Sequence, residues 1–255
     1  MAYAIIQVDN MQVVQICDAD PGQPAVGHSV FKVDDVYAVP FIKNNRDSKF
    51  FLYTQYPAIM TPQHVLQYRE VLQMVPAGGK IVEIGSFCGG SAAIALEMIS
   101  ADTQLYCIDA GWMFDQRNLD AGMTRRMDPQ SHWDNHIDLN HRVSDHDSRL
   151  SFARHYLAGY SNVTLIPGAS PDSASDWQHV IDLYFEDGDH TNPTLRRNLD
   201  FWVSHVRSGG IIAGHDYNNA DCPDVNAEAH ALAARLGTEL HHGAEPGSIW
   251  WMRKP

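Results

Sequence analysis

From about residue 61 to the C-terminus, short apolar runs alternate with segments of helical period, and few folds accommodate that rhythm. The runs are KIVEIGS (80–86), QLYCIDA (104–110), NVTLIPGAS (162–170), VIDLYFEDGDH (180–190) and SGGIIAGHDY (208–217), and each reads as a buried strand. Helices fill the gaps. Thr61-Pro62 looks like an N-cap followed by proline at the first helical position, with Val65, Leu66, Val71, Leu72 and Val75 forming a stripe behind it. SAAIALEMIS (91–100) is a second helix, and Asn192-Pro193 opens a third whose Leu195, Leu199, Trp202 and Val206 share one face. Asp224 is placed to cap a fourth, which stops at Gly237. The ending breaks the rhythm: TELHHG (238–243) and SIWWMRK (248–254) have no helix between them, so they read as an antiparallel hairpin. The expectation is an α/β domain over residues 61–255.

Two regions stand outside it. Residues 1–60 form an N-terminal extension with two strand candidates, AYAIIQV and MQVVQIC, then a Pro/Gly-rich loop and KFFLYTQY. Unpaired strands there offer a route to a homo-oligomer. Residues 111–150 are a polar insertion between the second and third strands, and a loop that long in a compact domain is usually functional. We expect it to act as a lid over an acceptor, with Trp112, Phe114 and Trp133 lining the pocket or anchoring the loop. His132, His136, His141 and His146 read as its solvated surface.

Charge and cysteine usage exclude several classes. With 31 acidic against 18 basic residues the formal net charge is −13, which disfavours a nucleic-acid partner. Cys17, Cys88, Cys107 and Cys222 are scattered with no C-x-x-C pair, the pattern of reduced thiols, not a disulfide framework or zinc knuckle. The N-terminus lacks the basic and apolar regions of a signal peptide. No stretch approaches the ~20 apolar residues that span a bilayer. The expected location is cytoplasmic.

EIGSFCGGS (83–91) joins the first strand to the next helix. Its glycines allow a ligand close to the backbone, and the helix start offers N–H donors. The dinucleotide fingerprint G-x-G-x-x-G is broken by Phe87, which weakens an NAD(P)-dependent oxidoreductase reading without removing it as the alternative. Asp109, at the end of the second strand, is placed to accept hydrogen bonds from both ribose hydroxyls of a nucleoside. The spacing E-x-G-x-x-x-G-x-S resembles the first motif of class I S-adenosylmethionine (SAM) methyltransferases. That resemblance implies a Rossmann-like, seven-stranded, mostly parallel sheet with helices on both faces and an antiparallel last strand. It implies SAM as cofactor, held by Glu83, Gly85, Ser86, Gly89, Ser91 and Asp109, with Glu83 toward the methionine amino group. Ala169 and Ser170, in the GAS loop after the third strand, resemble the adenine side.

FEDGDH (185–190) then raises a question of charge. Asp187 and Asp189 stand at one strand end, and GHDY (214–217) delivers His215 and Asp216 to the next. If these strands are neighbours the four side chains converge, and unpaired carboxylates so close are tolerable mainly around a cation. DLYFEDGDH…GGIIAGHDY resembles the metal-dependent O-methyltransferases that act on sugars and catechols in natural-product pathways. The resemblance implies a divalent ion, magnesium or manganese, on Asp187, His215 and Asp216, and a small-molecule hydroxyl, a sugar or glycoside, as acceptor. The base is His190 by likeness to the catechol enzymes or Asp189 by likeness to the sugar enzymes. His215 replaces the usual carboxylate, which points either to a softer ion such as manganese or to a supporting role for His215. Catalysis on another acceptor without metal stays open, as does a SAM-binding module without catalysis.

Overall fold

The computed structural model describes residues 2–7, 13–17, 28–33, 60, 62–87, 89–110, 153–154 and 157–255. Thr61, Cys88, the stretch KFFLYTQY and the whole 111–150 insertion, with its aromatic and histidine residues, lie outside the described residues. In the N-terminal extension, β1 (Ala2–Gln7), β2 (Val13–Cys17) and β3 (His28–Val33) form an antiparallel sheet in the order β2-β1-β3. The first two match the strand candidates. The third falls in the segment read as a loop.

The main sheet is built as the rhythm requires. Five parallel strands, β4 (Lys80–Ile84), β5 (Gln104–Asp109), β6 (Val163–Pro167), β7 (Ile181–Glu186) and β8 (Val206–Tyr217), are followed by β9 (His241–His242) and β10 (Ser248–Arg253). Their order is β6-β5-β4-β7-β8-β10-β9, with β10 antiparallel to β8 and β9 antiparallel to β10. Side chains alternate between the faces with period two. Ile81, Leu183, Phe185, Ile211 and Ala213 pack with α1 (Pro62–Leu72) and α2 (Gly90–Met98). Val82, Ile84, Tyr184 and Ile212 pack on the other side with α3 (Thr194–His205) and α4 (Pro223–Leu236). Trp202 of α3 is fully buried there, and its Nε1–H is satisfied by Ser170 Oγ at 2.8 Å.

The strand order reverses at β4. The chain runs outward through β5 and β6, then returns to lay β7 on the other side of β4. Ligands of open α/β sheets bind at the carboxyl ends of strands flanking such a reversal. Here those ends are Gly85 after β4 and Asp187 after β7.

Three local readings change. Leu66 is exposed, whereas His64 and Tyr68 turn inward with Val65, Val71 and Leu72, so α1 buries a partly polar stripe. Helix α3 stops at His205, and Val206 is already strand. Asp224 does not cap α4: Pro223 starts the helix and leaves Cys222 at the cap without a side-chain bond. Asp224 Oδ2 instead accepts a hydrogen bond from Asn192 N at 2.9 Å. Among the described residues no helix is long and apolar enough to cross a membrane.

Candidate active site

The turn after β4 is held open by geometry only glycine permits. Gly85 has φ +84°, and a Cβ there would lie 2.5 Å from the Asp187 carbonyl carbon and 2.9 Å from Gly188 Cα. The glycine turn and the acidic loop are therefore packed back to back. Gly85 N donates to Ile108 O at 2.8 Å, and Phe87 N donates to Asp109 Oδ2 at 2.7 Å, so the end of β5 fixes the turn. Gly89, at φ +83°, forms the N-cap of α2, where a Cβ would press on Ala153 at 3.1 Å. Ser86 is buried within the turn.

Glu83 lies beneath this turn, with no exposed surface. One carboxyl oxygen accepts a hydrogen bond from the Ser91 hydroxyl and the other from Tyr68 Oη at 3.2 Å. Burial pushes its carboxyl up to about 7, although those hydrogen bonds oppose the rise. Beyond β6, Gly168 N donates to Asp109 O at 2.9 Å, which sets Ala169 and Ser170 beside the end of β5. Gly85, Ser86, Gly89, Asp109, Ala169 and Ser170 thus gather at the carboxyl ends of the strands, whereas Glu83 and Ser91, also expected at the cofactor, are buried beneath the turn and bonded to each other.

The four charged residues foreseen at the neighbouring strand ends separate into a cluster and an outlier. Because β7 and β8 pair with Glu186 opposite Gly214, Asp187 comes beside His215 and Asp216. His215 Nδ1 lies 3.4 Å from Asp187 Oδ1 and 3.2 Å from Asp216 Oδ2. His190 Nε2 lies 3.0 Å from the same Asp216 oxygen and 3.6 Å from Asp187 Oδ1. These are ionic contacts; His190 Nε2 is buried without a properly directed hydrogen bond. Asp216 sits at φ +60°, a left-handed conformation that costs a non-glycine residue about 1–3 kcal/mol. Asp189 is the outlier. Its Oδ1 accepts from Thr191 N at 3.0 Å and Thr191 Oγ1 at 2.6 Å, holding the bend that leads to α3.

Burial alone would lower both histidines, but the carboxylates outweigh it. Asp216 and Asp187 lift His215 to about 10, and Asp216 lifts His190 well above its ordinary value. Asp216 is in turn held well below the usual carboxylate range, because His215 and His190 more than offset its own burial. Two histidines therefore serve as the cluster's cations in the ligand-free protein.

Sequence reasoning missed three residues. His64 of α1 meets His215 across the sheet, Nδ1 to Nε2 at 2.8 Å, and is lowered to about 4, chiefly by burial and then by His215. Tyr68, one helical turn on, reaches Glu83. Their four-residue separation was the available signal: it places two polar side chains on the buried face of α1. Cys222, at the start of α4, brings its thiol within 4.8 Å of the ligand atoms of His190 and Asp216.

Solved structures share this architecture. An O-methyltransferase from Bacillus cereus in complex with SAH is 15% identical, covers 86% of this chain and 91% of its own, and superposes with a TM-score of 0.52. The O-methyltransferase TomG from Streptomyces achromogenes, in complex with SAM, is 14% identical over 87% of this chain and 91% of its own, with a TM-score of 0.50. A precorrin-6y C5,15-methyltransferase from Geobacter metallireducens is 13% identical over 77% and 91%, with a TM-score of 0.52. At such identities the likeness is one of fold. No curated protein matches the sequence. A family model described as a methyltransferase domain matches residues 82–217, from within β4 through the cluster to the end of β8, and with that match the chain belongs to this SAM-dependent methyltransferase family.

Proposed function

We propose that the protein transfers the methyl group of SAM to a hydroxyl of a small molecule, a sugar or glycoside, with the help of a divalent ion. The observation that carries this reading is the convergence of Asp187, His190, His215 and Asp216 at the strand reversal, packed against the Gly85 turn. The residues suit an ion. Asp187, His215 and Asp216 offer ligand atoms within 4.8 Å of one another, and the set of two carboxylates and one imidazole fits manganese at least as well as magnesium. Bound there, such an ion supplies Lewis-acid activation of the acceptor hydroxyl.

The chain's own residues supply the rest. Gly85, Ser86, Gly89 and Asp109, with Ala169 and Ser170 alongside, supply the cofactor edge. His190 is better placed than Asp189 to take the hydroxyl proton, since Asp189 is committed to Thr191 while His190 Nε2 faces the cluster. His190 can act as a base only once the charge of Asp187 and Asp216 is engaged elsewhere, because in the bare cluster they keep it protonated. His64 holds the far nitrogen of His215 and so turns Nδ1 toward the two aspartates.

One observation favours a second reading, transfer to an acceptor hydroxyl without metal. The paired histidines already balance the aspartates, so no ion is needed to keep them together. The family match sets aside a nicotinamide-dependent oxidoreductase. The test is incubation with methyl-labelled SAM and panels of glycosides and catechols, with manganese or with excess chelator, read by mass spectrometry. The proposal predicts one labelled methyl on a glycoside in the manganese arm alone. Products only from catechols reassign the acceptor, and equal products under chelation select the metal-free reading.

A further inference from the structure

The cluster has a second face, and one of its side chains, Cys222, has no part in methyl transfer. Beside the triad of Asp187, His215 and Asp216 lies another, His190, Asp216 and Cys222, whose ligand atoms also fall within 4.8 Å of one another. The two triads share Asp216. The second differs in hardness: its members are an imidazole, a carboxylate and a thiol, a set that selects thiophilic borderline ions over magnesium. Ligands of tetrahedral zinc stand roughly 3–4 Å apart, so closing this triad needs only a modest contraction.

Two further observations point the same way. Among the described residues, His190 Nε2 is a buried nitrogen with no directed hydrogen bond, held only by ionic contacts, the shorter to the Asp216 oxygen at 3.0 Å, so an ion entering between them replaces a proton and not a bond network. Cys222 is 8% exposed and occupies the N-cap of α4, where its side chain makes no capping bond to the helix. Cys107, by contrast, is buried in the core among apolar side chains.

We infer that His190, Asp216 and Cys222 form a thiol-containing site for a thiophilic divalent ion such as zinc, and that filling it excludes the oxygen-bound ion and removes His190 from proton transfer. Binding releases the Cys222 thiol proton and the His190 Nε2 proton to water and forms a thiolate–metal and an imidazole–metal bond beside that of Asp216, with a fourth position left for water. No electrons are exchanged. The existence of the site does not depend on the proposed function; only its inhibitory consequence does.

Cobalt(II) is the probe, because thiolate ligation produces a near-ultraviolet charge-transfer band and tetrahedral geometry intense visible bands. Titrating the full chain with cobalt should develop both, and zinc should remove them. Cys222→Ser and Cys222→Ala should each lose the charge-transfer band. Loss of a supporting partner already costs about 10–100-fold in metal affinity, so zinc affinity should fall by at least about 10-fold in either variant. Manganese affinity, read by the loss of free-ion signal in electron paramagnetic resonance, should remain, which also reports that the variants are folded. Wild-type protein that binds cobalt without a charge-transfer band overturns the inference. So does a band that persists in both Cys222 variants. These readouts need no turnover, so a failed methylation assay leaves them interpretable, and a failed cobalt titration leaves the methyltransferase reading standing.

Discussion

Gly85→Ala tests the coupling of the two halves of the site. The new methyl would lie 2.5 Å from the Asp187 carbonyl carbon and 2.9 Å from Gly188 Cα, whereas ordinary contacts begin at 3.4 Å. Its neighbours are backbone atoms, so relief requires the acidic loop or the turn to shift by about 1 Å. Holding alanine at φ +84° costs about 1–2 kcal/mol, and forcing a methyl into packed backbone adds about 1–3 kcal/mol. A loss of about 2–5 kcal/mol lowers the melting temperature of a chain this size by roughly 4–20 °C. A displacement of 1 Å at a reacting group also costs on the order of 10²-fold in rate, because Asp187 and His190 move together. The assay is thermal unfolding with and without manganese, followed by manganese titration of the folded variant. The expected result is lower stability together with manganese binding weakened at a site Gly85 does not touch chemically. A variant with wild-type melting temperature and manganese affinity refutes the back-to-back packing of turn and loop.

Glu83, raised from 4.5 to about 7 by burial, contributes stability to the ligand-free protein that is fully present below the lower value and lost as pH rises through about 7, a difference of roughly 3 kcal/mol. Glu83→Gln should flatten that slope in chelator-treated protein, and an unchanged pH profile would show that the carboxyl titrates normally. His64→Ala should weaken manganese binding about 10–100-fold, with His64→Asn recovering part of it, because the lost contact orients His215. Equal affinities in all three proteins would remove His64 from the site. His190→Ala should retain manganese and SAM while losing about 10²–10⁴ in rate, and Asp189→Asn should lose far less. The reverse ranking would make Asp189 the base.

Much of the frame is legible in the amino-acid sequence. Continuous apolar runs ending in charge identify β5, β7 and β8, and the apolar run before the glycine spacing identifies β4 and the turn after it. The convergence of Asp187 with His215 and Asp216 depended on β7 and β8 being neighbours, which local pattern does not determine but the sheet order supplies. His64 was hidden for a different reason. It lies 151 positions from His215, and an apolar reading of α1 preferred Leu66, which faces solvent. Cys222 carries no motif of its own; only the start of α4 brings it to His190. Asp189 and Asp187 are indistinguishable by composition, and Thr191 separates them by binding one and not the other.

The central claim is that methyl transfer needs an ion held by Asp187 and Asp216. The most direct measurement is the dependence of turnover on free manganese in metal-stripped enzyme, set beside a manganese binding curve for the same preparation. The account predicts no turnover without the ion, recovery that follows the binding curve, and loss of both in Asp187→Asn and Asp216→Asn while SAM still binds. Full turnover in excess chelator, with no metal in the purified protein, would contradict it and leave the histidine–aspartate cluster as a metal-free catalyst.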